Sequence, residues 1–213
     1  MRPSPASIVH TARHAALFAV SALLAGAAVA APLKVSVVDV DGRPLEDAVV
    51  EVEVRGAPTS APAGTMVDIE QRQRNFRPRV VAIQAGTLVS FPNFDTVRHQ
   101  VYSYSPIAPV QPGAKFFEIK LYVGRPEQPV IFDKPGTAVM GCQIHDQMRA
   151  YLRVVNTPYF AKTNAQGVAQ IEVPAGEHRL QAWHALLGDA PPHPQTLKLP
   201  AGGVSLTLTV SAP

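Results

Sequence analysis

The sequence predicts an all-β protein built from β-sandwiches. Apolar and polar residues alternate with a period of two in several segments, and no segment keeps the period of a helix. In addition, 21 prolines and 14 glycines are spread along the 213 residues and would interrupt a long helix. Short alternating segments separated by turn residues are typical of sandwiches, because successive side chains of a strand point to opposite faces.

The N-terminal residues are predicted to be a secretory signal that lies outside the fold. An apolar run over residues 15–30 follows the basic residues Arg2 and Arg13 and ends in Ala-Val-Ala, which signal peptidase accepts. The run is shorter than the roughly 20 residues of a membrane-spanning helix, although a retained anchor is the alternative. We therefore expect residues 1–30 to be cleaved. The mature chain is then soluble, with no membrane span, and periplasmic or otherwise exported.

Strands are expected where apolar residues alternate or cluster between turn signals. The run Leu33–Val40 is rich in apolar residues and ends at the turn signal Asp41-Gly42. The stretch Val50–Val54 alternates valine with glutamate, as expected of a half-buried strand. The remaining candidates are, in chain order, residues 81–83, 88–91, 116–122, 130–132, 151–155, 171–173, 180–183 and 204–210.

Charge and cysteine content narrow the classes of function. Removing Arg2 and Arg13 with the signal leaves 17 of the 19 basic side chains against 16 acidic ones, a net charge of +1. This balance gives no indication of a nucleic-acid partner. The single cysteine, Cys142, has no partner in its own chain for a disulfide in an oxidising compartment. It is therefore expected to be buried or bound to a metal.

A short loop around the cysteine carries the metal-binding signal. Cys142, His145 and Met148 follow one another as C-x2-H-x2-M, so that a thiolate, an imidazole and a thioether can reach one centre. Soft sulfur with nitrogen suits copper, and two histidines with a cysteine and an axial methionine form an electron-transfer site. His99 can supply the second imidazole from about forty residues upstream. Each residue alone would have an ordinary role in a loop, a strand end or the core.

Residues 65–157 resemble the plastocyanin/amicyanin-type cupredoxins. In that family a G-x-x-V-x-F-x-N-x-D stretch leads to the first histidine ligand, and a later strand delivers the C-x2-H-x(2–4)-M loop. The whole chain is similar to exported plastocyanin-like proteins labelled methylamine utilisation proteins. The first stretch is represented here by Gly86, Val89, Phe91, Asn93 and Asp95, which precede His99.

The resemblance implies one type 1 (blue) copper ion in a Greek-key sandwich, held by His99, Cys142, His145 and Met148. It also implies that Asn93 ties the first-histidine loop to the cysteine strand; the alternative is that Asn93 is merely a turn residue after a proline. Arg98 and Ile144 stand where many relatives have proline, which leaves the reduction potential open.

The predicted function is one-electron transfer between transient protein partners, such as a cytochrome or a dehydrogenase. Four protein ligands leave no open position for a substrate, so the protein is not expected to be an enzyme. The alternative is a copper-dependent sensor or accessory module whose flanking sandwich binds a partner or glycan.

The flanks, residues 31–64 and 158–213, resemble a carboxypeptidase regulatory-like (transthyretin-type) sandwich. The resemblance is carried by LKVSVVDVDGRPLEDAVVEVEV and TNAQGVAQIEVPAGEHRLQAWH. We therefore expect one sandwich interrupted by the domain 65–157, and the alternative is a single elongated cupredoxin with extra strands. Trp183 is expected in the flanking core, or else as a carbohydrate contact. The basic run Arg72–Arg79 is expected on one solvated face, or as a docking patch for an acidic redox partner.

Overall fold

The computed structural model describes residues 30–103, 117–188 and 190–213, so the predicted signal up to residue 29 lies outside the described residues. Within these ranges the protein consists of 17 strands, and the one helical element is a 3₁₀ turn at Ala185–Leu187. The all-β prediction is therefore confirmed. No helix in this part of the chain combines the length and apolar character needed to cross a membrane.

Each of these strands is between three and nine residues long. In chain order the first nine are β1 (Ala30–Val38), β2 (Val49–Glu53), β3 (Met66–Asp68), β4 (Glu70–Arg72), β5 (Asn75–Arg77), β6 (Val80–Gln84), β7 (Thr87–Ser90), β8 (His99–Ser103) and β9 (Phe117–Tyr122). The others are β10 (Val130–Phe132), β11 (Gly136–Gly141), β12 (Arg149–Val155), β13 (Phe160–Lys162), β14 (Val168–Pro174), β15 (Gly176–Trp183), β16 (Gln195–Leu199) and β17 (Val204–Thr209). Seven strands were not among those predicted, namely β3, β4, β5, β8, β11, β13 and β16. Two of the seven, β8 and β11, adjoin the predicted metal ligands.

Strands from both ends of the described chain surround one core. In the first sheet β1 lies between β14 and β17, antiparallel to β14 and parallel to β17. The second sheet has the order β13-β2-β15-β16. Leu33, Val35 and Val37 alternate inward along β1 and are buried in the same cluster as Trp183. The predicted core position of Trp183 is confirmed, because only 1% of the residue is exposed.

The strands between β2 and β13 form a second sandwich with its own core. Its five-stranded sheet has the order β6-β12-β11-β8-β9, and its three-stranded sheet has the order β10-β7-β3. Phe91, Phe117 and Phe132 meet in this core, with ring centroids 5.7 Å apart in each successive pair. Full burial of one such ring stabilises the fold by about 1.5–3 kcal/mol.

The predicted half-buried pattern of β2 is wrong at Glu51, which is almost completely buried. Arg153 of β12 covers it, donating from Nη2 to the Glu51 carboxylate at 2.5 Å and from Nε at 3.1 Å. Val80 and Val155 of the second sandwich are also buried in the core of the first. The face of β2 that alternation assigns to solvent is therefore covered by another sheet.

The basic run does not form the single extended segment that the sequence indicates. It folds into the hairpin β4–β5, and its two turn residues, Gln73 and Arg74, have φ angles of 52° and 55°. Arg72, Arg74 and Arg77 are all exposed, which agrees with the predicted solvated position. The chain reverses here without glycine, so the turn must be held by contacts from elsewhere.

Candidate metal centre

Three neighbouring strands bring the predicted ligands to one end of the second sandwich. His99 is the first residue of β8, and Cys142 directly follows the last residue of β11. These strands are antiparallel neighbours, with Gly141 opposite Tyr102, so the end of β11 and the start of β8 share one sheet edge. Met148 directly precedes β12, which pairs with the other side of β11. The loop 142–148 therefore starts on the neighbour of the strand that begins with His99 and ends one strand farther along the same sheet.

The donor atoms of three predicted ligands surround a common point. One ligand atom from each of His99, Cys142 and His145 lies within 4.8 Å of the other two. The Cys142 Sγ is 3.9 Å from the His145 Nδ1, and the two imidazole centroids are 4.9 Å apart. Metal bonds of about 2.0 Å to nitrogen and 2.3 Å to sulfur place such atoms about 3.7 Å apart around a trigonal centre. The spacing therefore fits a single metal ion.

The two ring nitrogens of His99 have different surroundings. The residue has no exposed surface, and its Nε2 lies 2.7 Å from Oδ2 of Asp95. Its Nδ1 is buried without a hydrogen-bond partner among the described residues. Buried polar atoms nearly always have a partner, and an unpartnered one needs an explanation. A metal ion bonded to Nδ1 provides it, while a carboxylate on the other nitrogen is the usual support of a metal-bound histidine.

The second sandwich therefore presents a cysteine-histidine loop and a strand-initial histidine at one end of two sheets that share a core. That is the arrangement that the resemblance found in the sequence implies. The sandwich has a cupredoxin-type fold.

A scan against models of protein families finds no match, and a search of curated proteins finds none either. Among solved structures, amicyanin from Paracoccus versutus is 19% identical, with 49% of this chain and 96% of that chain covered and a TM-score of 0.35. A pseudoazurin from Sinorhizobium is 23% identical, covering 44% of this chain and 76% of that chain, with a TM-score of 0.35. A copper-containing nitrite reductase from Thermus scotoductus is 24% identical, with 56% of this chain and 28% of that chain covered and a TM-score of 0.34. At these identities and TM-scores the likenesses assign neither a family nor a function.

Asp95 is a site residue to which the sequence assigns no separate role. Its carboxylate accepts hydrogen bonds from the backbone N–H groups of Gln73 and Arg74, at 2.6 and 2.9 Å, besides its contact with His99. Burial raises the pKa of Asp95, but these hydrogen bonds outweigh burial and leave the pKa below its ordinary value. The group is therefore a carboxylate that joins the hairpin turn to the histidine. Its position four residues before His99, within the N-x-D pattern, is the signal that could have identified it.

Asn93 fixes the loop before His99, though not by the contact that the resemblance implies. Its side-chain amide donates to the carbonyl oxygens of Val97 and Tyr122, both at 2.9 Å, and its oxygen accepts from the Asp95 N–H at 2.9 Å. One of these bonds joins the loop to the end of β9, and the other two lie within the loop itself. Among the described residues, none leads to the cysteine strand. The amide closes the loop at both ends and thereby sets the position of Asp95.

Met148 lies in the same buried core as Cys142, with 1% of its surface exposed. Its backbone N–H donates to the carbonyl oxygen of His145 at 2.9 Å, which closes the ligand loop into a tight turn. This hydrogen bond keeps the backbone of Met148 close to that of His145. Coordination by its thioether stays a prediction.

His145 is the predicted ligand nearest to solvent. It is half-buried, and its neighbour Ile144 is 52% exposed. Burial lowers the pKa of His145, and the positive charges of His99 and Arg74 lower it further, against the opposite effect of Asp95. The neutral imidazole that a metal ligand requires is therefore favoured.

No other histidine of the described residues takes part in a comparable cluster. In this part of the chain, His99, Cys142 and His145 are the residues whose ligand atoms lie close enough together to hold one metal ion. His178 instead contacts the carbonyl oxygen of Pro174 at 2.7 Å. His184 accepts a hydrogen bond from the backbone N–H of Leu186, where it caps the 3₁₀ turn.

Proposed function

We propose that this protein is an exported blue copper protein that carries single electrons between redox partners. His99, Cys142, His145 and Met148 would hold one copper ion. The observation that supports this most directly is the buried, unpartnered Nδ1 of His99 beside the Cys142 thiol and the His145 ring. When bound, the ion supplies one-electron chemistry by alternating between Cu(I) and Cu(II).

The protein's own contribution is a rigid and dry set of donors. His99 and Cys142 are held at the ends of paired strands, and both are buried. Asp95 fixes the plane of the His99 ring and leaves its Nδ1 free for the metal. Donors that cannot rearrange keep nearly the same geometry in both oxidation states, which favours rapid electron exchange.

Exposure also favours electron transfer over catalysis. A catalytic metal site keeps a ligand position open to substrate. Here His99, Cys142 and Met148 are at most 3% exposed, and the half-buried His145 ring is the proposed ligand in contact with solvent. An electron can cross through the His145 edge, whereas the burial of the other three donors among the described residues disfavours direct access of a substrate.

The proposal is tested by voltammetry of the mature protein loaded with copper. We expect a reversible wave that corresponds to one electron per chain and persists over repeated cycles. A matched Cys142→Ser variant should lose this wave, because an alcohol does not replace the thiolate. Absence of a wave in the parent protein, or an unchanged wave in the variant, contradicts the proposal.

We further propose that residues 31–64 and 158–213 form one domain into which the copper domain, residues 65–157, is inserted. Pairing of β1 with β14 and β17, and of β2 with β13 and β15, supports this division. It predicts that the copper domain expressed without its flanks still binds copper. A flanking domain whose two segments are joined by a short linker should likewise fold cooperatively.

A cavity beside the flanking sheets favours a second candidate function, that of a copper-dependent sensor or accessory module. The cavity has a volume of about 420 Å³, and charged side chains contribute to its lining, among them Glu53, Arg55 and Arg179. Under this alternative a ligand such as an oligosaccharide should raise the Tm, an Arg179→Ala variant should lose the effect, and electron exchange should be negligible.

A further inference from the structure

The hairpin β4–β5 is positioned by the metal site. A two-residue turn with positive φ at both positions normally uses glycine or asparagine, since other residues are strained by about 1–2 kcal/mol each in this conformation. Here Gln73 and Arg74 occupy it, and both of their N–H groups are bound by the carboxylate of Asp95. Strained residues of this kind persist where surrounding contacts fix them, often at functional sites. The turn is therefore held in place relative to His99.

The hairpin brings exposed positive charge to this end of the molecule. Arg72, Arg74 and Arg77 lie along the hairpin, and Arg98 directly precedes His99. Of these, Arg72 pairs with Glu70 at 2.7 Å. Among the described residues no ion pair includes Arg74, Arg77 or Arg98. Three carboxylates lie in the same segments, those of Glu70, Asp95 and Asp146, so the four arginines exceed them by one charge. Asp95 is turned onto the Gln73 and Arg74 N–H groups, which leaves the arginine side chains as the outward charges of the hairpin.

Apolar surface accompanies the charge. Phe94, Val97 and Ile144 are 50%, 39% and 52% exposed, and all three lie in the two loops that carry His99 and His145. The guanidinium of Arg72 lies 3.8 Å from the centre of the Phe94 ring. Protein interfaces combine an apolar centre with a polar rim, and charged rims steer association. A small surface of this kind suits the weak encounters of redox proteins.

We propose that the hairpin turn, with Arg72, Arg74, Arg77 and Arg98 around Phe94, Val97 and Ile144, is the docking surface for a redox protein with an acidic face. The inference rests on the proposed electron-carrier function. Nucleic acid is less suited to the same surface, because binding of single strands uses aromatic rings as stacking platforms. The Arg72 guanidinium lies over one face of the Phe94 ring, so that face is closed to a stacked base.

Two small oxidants of opposite charge test the surface without a known partner. The reduced protein gives one electron to ferricyanide, which becomes ferrocyanide, or to tris(phenanthroline)cobalt(III), which becomes the cobalt(II) complex; no proton moves. Arg74→Gln should lower the rate of electron transfer to the anionic oxidant and raise the rate to the cationic one. Removing one charge about 10 Å from a trivalent probe changes the rate roughly three- to five-fold at 0.01 M ionic strength and less than about two-fold at 0.15 M.

A matched control is Lys198→Gln, which removes one exposed positive charge from β16 of the flanking sheet. It should change neither rate. If Arg74→Gln behaves like Lys198→Gln while both oxidants still react, the docking surface is wrong and the carrier function stands. If neither oxidant reacts with the parent protein, the carrier function itself fails, and this inference fails with it.

A second measurement needs no electron transfer. Titration of the metal-free protein with an octaglutamate peptide at low salt, followed by NMR, should shift the amide signals of residues 70–77 and 94–98. Shifts confined to the flanking sheets would overturn the proposal. So would tighter binding of a single-stranded oligonucleotide of the same charge, because the surface would then be a general polyanion site.

Discussion

Replacing Asp95 with asparagine should weaken copper binding and destabilise the metal-free fold. The carboxylate accepts three contacts, from the N–H groups of Gln73 and Arg74 and from Nε2 of His99, at 2.6, 2.9 and 2.7 Å. An amide has one acceptor oxygen in place of two, so at least one of these donors faces an NH₂ group. The Arg74 N–H and His99 Nε2 share one carboxylate oxygen, so the donor left facing the NH₂ group is the Gln73 N–H, which lies near solvent; losing its bond costs about 0.5–1.5 kcal/mol. The free energy of unfolding of the metal-free protein should fall by about that amount.

The effect on copper follows from the weaker support of His99, because a neutral amide oxygen accepts a hydrogen bond less strongly than a carboxylate oxygen. Replacing a group that supports a metal-bound histidine typically weakens metal affinity about 10- to 100-fold. We expect a loss in this range for Asp95→Asn. Competition with a chelator of known copper affinity measures the change, and urea denaturation of the metal-free protein measures the stability.

Asp146→Asn is the matched control, because Asp146 is an exposed carboxylate next to His145. It removes the same charge near the site without removing a hydrogen bond seen among the described residues. Equal losses of copper affinity in the two variants would mean that only charge matters. Unchanged affinity in Asp95→Asn would refute the positioning role of Asp95.

Three further predictions concern the fold. Arg153→Met should destabilise the metal-free protein by about 3–5 kcal/mol in urea denaturation, because Glu51 then stays buried without its partner. Adding Glu51→Gln should restore most of the lost stability. A small effect of Arg153→Met alone would contradict this explanation. Burial lowers the pKa of His184 from its ordinary value of 6.5, so the stability that its neutral form contributes is fully present above that pH and is lost as the pH falls through the pKa of the folded state. Thermal denaturation between pH 5 and 7, at about one-unit steps, should show a Tm that falls with pH, and His184→Gln should remove this dependence. Gly167→Ala should cost more than Gly42→Ala in the same assay, since both have positive φ but only the Gly167 Cβ would meet Val37 O, at 2.7 Å; equal costs would refute the steric explanation.

Local sequence patterns predicted those parts of the molecule that depend on local physics. Alternation along Leu33–Val37 identified β1, because one face of that strand meets a core made of apolar side chains. The spacing of Cys142, His145 and Met148 was equally informative, since a tight loop between neighbouring strands keeps these residues together. His99 was identified as the second imidazole ligand because the stretch from Gly86 to Asp95 before it matches the motif that leads to the first histidine ligand in the resembling family.

The features that the sequence did not predict depend on residues far apart in the chain. Glu51 is buried because Arg153, 102 positions away, covers it, and no local pattern contains that contact. The turn at Gln73 and Arg74 lacks the usual glycine or asparagine, since the carboxylate of Asp95 stabilises it from another loop. The strand β11 contains glycine at both ends, and its apolar residues show too little alternation to be distinguished from a loop.

The most direct test of the copper assignment is the visible and EPR spectrum of the mature protein loaded with Cu(II). Covalent bonding between the Cys142 thiolate and the ion should give strong absorption near about 600 nm and a narrow copper hyperfine splitting. The Cys142→Ala variant should lose both. A colourless parent protein, or a spectrum that survives this substitution, would contradict the assignment of His99, Cys142, His145 and Met148 as a blue copper site.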